Sequence, residues 1–189
     1  MKRSPETIEL LLNRRSLLAA KLIEPGPCPE ELETILRCAT RVPDHKGINP
    51  WRIQVAGRAA QDQFHAKLPE LHTGDPAGLQ KTLSKEAKTA PLLLIVSSQT
   101  TSERAPRSEQ LLSGAAVCQN IIIAAAALGY RSQWLTEWFA YNDRVKNLLG
   151  IPSNEEIIGF LYIGSANEIP KERPRPDLAN IVSKLELQA

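Results

Sequence analysis

The sequence predicts an α+β fold, a sandwich in which helices flank a central, mostly antiparallel sheet. Three observations carry that prediction. Two continuous apolar runs, 92–96 and 157–163, are short and bounded by Pro or Gly, as strands buried on both faces are. Residues 111–128 form one long segment that is apolar nearly all round, which suits a central buried helix. Amphipathic and polar helical segments precede and separate these runs, so helices and strands are mixed along the chain. The 189 residues fit one domain, 1–189, since single domains usually hold roughly 100–200 residues.

The elements follow in order. Ser4-Pro5-Glu6 reads as a helix start: an N-cap, a proline at the first helical position and an acid in the first turn. Ile8, Leu11 and Leu12 share one face of that helix, and Arg14-Arg15 place cations at its end. After the Pro25-Gly26-Pro27 loop, Pro29-Glu30-Glu31 opens a second helix that Pro43 stops. Residues 51–55 alternate with period 2 and read as a strand. Segments 59–68 and 79–88 read as exposed, polar-rich helices. Gly129 is placed to cap the long helix, residues 132–135 make a short strand, and Asn142-Asp143 opens a helix ending near Gly150. Gly159 and Gly164 lie in the last strand, where a missing side chain permits close approach. The tail from Ile169 to Pro176 is proline-rich and extended, with an amphipathic end over 178–187.

Composition excludes several classes. The net charge is +2, and basic residues alternate with acids, as in Lys171-Glu172-Arg173, so no nucleic-acid partner is expected. The three cysteines, Cys28, Cys38 and Cys118, have no C-x-x-C spacing. They suit a reducing cytoplasm, with Cys38 and Cys118 read as small buried hydrophobes. Met1-Lys2-Arg3 has the form of a secretory n-region, but Glu9 breaks the apolar run behind it and Arg14-Arg15 end it. No membrane-spanning segment is expected, so the chain is read as cytoplasmic. The phosphate-binding, zinc-peptidase and nucleophile-elbow motifs are all missing.

What remains is a set of polar clusters at element ends. Asn13-Arg14-Arg15-Ser16 offers two guanidiniums and a hydroxyl, fit to clamp a phosphate and meet a heterocycle edge. Taken alone, the commoner role of such cations is to neutralise a helix dipole. The stretch from Arg41 through His45 and Asn49 to Trp51 packs polar side chains into a turn, where binding residues concentrate. A solvated loop anchored by Trp51 has the same composition. Gln133-Trp134-Leu135-Thr136 sits at a strand end, with Trp138 and Phe139 read as packing or subunit-contact residues. Lys171-Glu172-Arg173 supplies two further cations, a pattern that by itself is usually a solvated charge run.

Together these features resemble the nitroreductase family, most closely its compact NAD(P)H nitroreductases. The likeness is carried by N-R-R-S after the first helix and by R-x-P-D-H-K-x-x-x-P-W over 41–51. The long Ala-rich helix ending in Leu-Gly and Gly159-Phe160-Leu161-Tyr162-Ile163-Gly164 complete it. The resemblance implies FMN held at a homodimer interface, with the C-terminal tail reaching the partner subunit. It implies hydride transfer from NADH or NADPH through the flavin N5 to a nitroaromatic, quinone or similar conjugated acceptor, with no catalytic side chain. Carried onto this sequence, Arg14, Arg15 and Ser16 would meet the FMN phosphate and ring edge. Arg41 and His45 would reach it from the partner, with Asn49 near the ring. Trp134, Leu135 and Thr136 match the strand-end segment facing the flavin, and Lys171 and Arg173 match a phosphate clamp. The alternative is a module that binds or sequesters FMN without reductase turnover.

Overall fold

A computed structural model of the chain describes residues 2–77, 79–80 and 89–187. The expected helix over 79–88 lies mainly outside the described residues. The rest builds one antiparallel sheet of four strands in the order β1-β2-β4-β3, with β1 Trp51–Ala56, β2 Leu92–Gln99, β3 Arg131–Leu135 and β4 Glu155–Gly164. No strand pairs parallel among the described residues.

Both central strands are covered on both faces, which is why their sequences lack alternation. Leu93, Ile95, Phe160 and Tyr162 point into one hydrophobic cluster; Leu92, Leu94, Leu161 and Ile163 point into the other. The second cluster is closed by α2 (Pro29–Ala39) and the long helix α4 (Arg107–Ala127). The first is closed by α3 (Arg58–Leu71), α5 (Asp143–Leu148) and the turn Trp138–Tyr141. Helix α4 has the length and hydropathy to cross a membrane. Its apolar side chains pack on the sheet and on α2 instead: Val117, Cys118 and Ile121 are fully buried.

Several expectations change. Helix α3 is not an exposed helix, because Gln61, Phe64, His65 and Leu68 form a buried stripe at helical spacing. Two of those residues are polar, which disguises the stripe. Gln61 is satisfied by backbone alone, donating to Ala56 O and Ala90 O while its own oxygen accepts the Ala90 amide. Cys38 is exposed rather than buried, and only Cys118 is in the core, where burial pushes its thiol up to about 12. The end over 178–187 forms a single turn, Leu178–Asn180, followed by chain without regular structure up to residue 187. Helix α1 (Pro5–Asn13) forms as expected but buries none of its side chains. Ser4 bonds the side chains of Glu6 and Thr7 rather than capping the helix backbone.

His65 carries a stability prediction. Its Nε2 lies 3.1 Å from the Tyr162 hydroxyl, and Nδ1 is buried with no hydrogen-bond partner among the described residues. Burial lowers its pKa, with Asp62 opposing, so the fold holds the ring neutral. The unfolded chain therefore takes up the proton first as pH falls. The stabilising contribution is complete above the ordinary histidine pKa of about 6.5 and is lost progressively as pH falls below it. Below that pH the melting temperature should fall, and His65→Phe should flatten the fall. Equal slopes in the two proteins would refute this.

Candidate functional site

The end of α1 is where the first cluster is assembled. Beyond Asn13 the chain leaves the helix and runs along the free edge of β3, with Leu17 N donating to Ser132 O at 3.0 Å and Ala19 N to Gln133 Oε1 at 2.5 Å. That path places Arg14-Arg15-Ser16 beside the strand that ends in Trp134-Leu135-Thr136. The tail then crosses the same corner. Arg15 Nε donates to Lys171 O at 3.2 Å and lies 3.8 Å from the Glu172 carboxylate. Three stretches far apart in sequence therefore meet: 14–19, 131–133 and 171–175.

Several cations gather at this corner. Arg14 lines a cleft of 380 Å³ with Arg131, Leu10, Asn13 and Ala126, and with two carboxylates of α1, Glu6 and Glu9. Its pKa is lowered by burial first, then by the charges of Arg15 and Arg175, although a guanidinium stays protonated. Arg14 Nη1 is buried with no hydrogen-bond partner among the described residues. A buried charged donor without an acceptor is costly, and an anion is the group that would satisfy it. Arg175 was not among the residues singled out from sequence. The only hint was its place in the repeating Lys171-Glu172-Arg173-Pro174-Arg175 pattern.

Lys171 meets Arg15 through its carbonyl and Arg173 meets Glu172 through its amide. No ion pair of either side chain occurs among the described residues. Trp134 is held against the sheet: Nε1 donates to Ile158 O at 3.1 Å, and its indole occupies the space a Gly159 side chain would fill. Leu135 packs on the first hydrophobic cluster. Thr136 is half-buried just before Glu137, which adopts a left-handed backbone with φ 48°. Such conformations in non-glycine residues gather at functional positions.

The second cluster lies elsewhere. His45 Nδ1 pairs with the carboxylate of Glu109 on α4, and both line a cleft of 460 Å³ with Pro43, Asp44, Leu112 and Ser113. Helix α4 pins this loop at two further points. Ser113 Oγ donates to Pro43 O and accepts from Trp51 Nε1, and Asn120 Nδ2 donates to Cys38 O and Arg41 O. Asp44 takes the Ile48 and Asn49 amides, holding Asn49 at φ 47°. Arg41, His45 and Asn49 are exposed. Glu109 and Ser113 were missed from sequence because nothing local marks them; they matter through contacts across 64 and 70 residues.

The two clusters sit at opposite ends of α4. Arg14 is beside Ala126 and His45 is beside Glu109. At 1.5 Å per residue these positions are about 25 Å apart along the helix. A single chain does not bring them to one small molecule.

The chain was compared with known families, proteins and structures. The profile of the family described as Nitroreductase matches residues 23–165. The Escherichia coli (strain K12) protein YdjA, named as an NAD(P)H nitroreductase, is 32% identical over 163 residues, covering 85% of this chain and 88% of its own length. A nitroreductase-like family protein from Bacillus cereus superposes with a TM-score of 0.83 at 20% identity, covering 98% of this chain and 99% of that one. A nitroreductase with bound FMN from Bacteroides fragilis superposes with a TM-score of 0.76 at 19% identity, covering 97% and 100%.

Proposed function

The chain belongs to the nitroreductase family, and from that premise we propose that it is an FMN-dependent NAD(P)H oxidoreductase acting as a homodimer. The observation that carries the reading is the separation of the two polar clusters to opposite ends of α4. One flavin meets both only if the His45 end of one chain faces the Arg14 end of another.

The surfaces beside each cluster suit that arrangement. Ile8, Leu11 and Leu12 on α1, next to Arg14, are 59%, 49% and 72% exposed, and Leu112, next to His45, is 67% exposed. Apolar side chains so grouped are what a second copy would cover. Ile169, Leu178, Leu185 and Leu187 of the tail are exposed as well, with nothing among the described residues to bury them. A tail reaching the partner would give them cover.

The residues fit FMN. The Arg14 guanidinium, whose Nη1 has no hydrogen-bond partner among the described residues, is with Arg15 and Ser16 a donor set for a phosphate monoester and for the electron-rich edge of a flavin. Arg41, His45 and Asn49 of the second copy would close the slot, and the 134–136 segment would line it. Lys171 and Arg173 lie in the tail beside Arg15, with no ion pair of either side chain among the described residues. When bound, FMN supplies the two-electron relay from NADH or NADPH to a nitroaromatic, quinone or similar acceptor. The protein's part is to hold and orient the flavin, place positive charge at its edge and exclude water. No covalent nucleophile is called for, and Cys118 is a buried thiol kept protonated.

Purified protein should be yellow, release one FMN per chain on denaturation, and lose its flavin absorbance anaerobically on adding NADPH or NADH. Reoxidation by a quinone or nitroaromatic completes the test. A colourless protein that takes up no FMN would end the proposal. FMN bound without NAD(P)H oxidation would assign the chain to flavin sequestration instead.

A further inference from the structure

The tail carries a carboxylate into the cationic corner. Glu172 Oε1 accepts from Arg175 Nε at 3.1 Å and Nη2 at 2.9 Å, accepts the Arg173 amide at 2.8 Å, and lies 3.8 Å from Arg15 Nε. Two guanidiniums and a backbone N–H thus converge on a single anionic oxygen. That is the donor arrangement a phosphate oxygen takes. Within 171–175 Glu172 is the one acid beside Lys171, Arg173 and Arg175, while Glu6 and Glu9 of α1 line the neighbouring cleft with Arg14. Without Glu172, Arg15 and Arg175 would have no ion pair among the described residues.

Glu172 is also easily moved. Its side chain is 58% exposed and that of Arg175 57%, on a stretch without regular structure. Exposed pairs of this kind hold weakly and are displaced at small cost. A doubly charged phosphate entering the corner would meet the carboxylate as a like charge and would outmatch it for the same donors.

We propose that Glu172 is a built-in stand-in for the cofactor phosphate, holding Arg15 and Arg175 in place until the phosphate displaces it. Arg175 then becomes a phosphate ligand beside Arg14 and Arg15. Glu172 sets how strongly the site prefers a phosphorylated flavin, because its carboxylate competes with the phosphate and not with the ring. The inference rests on the FMN reading above.

The full chain, freed of flavin, would be titrated with FMN and with riboflavin by flavin fluorescence, and heated with and without inorganic phosphate. Glu172→Gln should bind FMN about two- to tenfold more tightly than wild type, the range two exposed ion pairs allow. Its riboflavin affinity should not change, and phosphate should raise its melting temperature more than that of wild type. Glu172→Asp, which keeps the charge, should stay close to wild type, and Arg175→Gln should weaken FMN but not riboflavin. Glu172→Gln binding FMN no better than wild type, while wild type binds FMN, overturns the inference and leaves the cofactor reading standing. So does an equal gain for riboflavin. A wild-type chain that binds neither flavin overturns both.

Discussion

Replacing Ile8 and Leu12 together by Glu should turn the protein into a monomer and strip it of flavin. Within one chain both side chains lie open to solvent, 59% and 72% exposed, and α1 buries nothing. The substitutions should therefore leave the monomer's fold and far-ultraviolet circular dichroism unchanged, as exposed substitutions usually do within about 0.5 kcal/mol. In a dimer the same positions lose apolar contact worth about 1.5–3 kcal/mol each and acquire carboxylates that resist desolvation. The combined loss is at least about 100-fold in dimer affinity. FMN should leave with the partner, since the proposed site takes its His45 end from the other copy. Sedimentation with absorbance recorded in the flavin band reads both effects at once. A variant that stays dimeric and yellow would refute the placement of the interface on α1, and one that becomes monomeric yet keeps FMN would refute the shared site.

Gly159→Ala should cost about 3 kcal/mol of stability, at the upper end for overpacking. A Cβ there would lie 2.0 Å from Trp134 Nε1 and 2.4 Å from its Cδ1. The indole is not a loose end that swings aside. It is fastened to Ile158 O and packed against the second hydrophobic cluster. At this chain length, 3 kcal/mol corresponds to a fall of about 6–12 °C in melting temperature. Moving Trp134 also moves the strand end at Leu135 and Thr136, so FMN affinity should fall with stability. Adding Trp134→Leu should recover part of the loss, because the two changes share one contact and should be strongly non-additive. Equal melting temperatures for wild type and Gly159→Ala would show that the indole yields freely.

The clearest sequence signals were those produced by burial on two sides. The run over 92–96 needs no alternation because both of its faces are covered, and the helix over 111–128 is apolar nearly all round for a related reason. Helix α3 was misread because two positions of its buried stripe, Gln61 and His65, are polar. Their burial is tolerable only because Ala56, Ala90 and Tyr162 meet them from other elements. The candidate site divides in the same way. Arg14, Arg15, Arg41 and His45 stood out as local concentrations of charge. Glu109 and Arg175 did not, and Glu172 appeared only within a charge run; Glu109 and Glu172 gain their meaning from His45 and Arg15, which folding brings near.

Amino-acid order alone was enough to set the elements, the antiparallel sheet and the family, because periodicity, capping residues and local clusters are properties of neighbours along the chain. Which cations share a corner, and which lie a helix length away, depended on how α4 and the tail pack. An amphipathic helix such as α1 shows that its apolar face must leave water. Only the packed chain reveals that nothing among the described residues covers that face, and this is the physical ground for proposing that a second copy does.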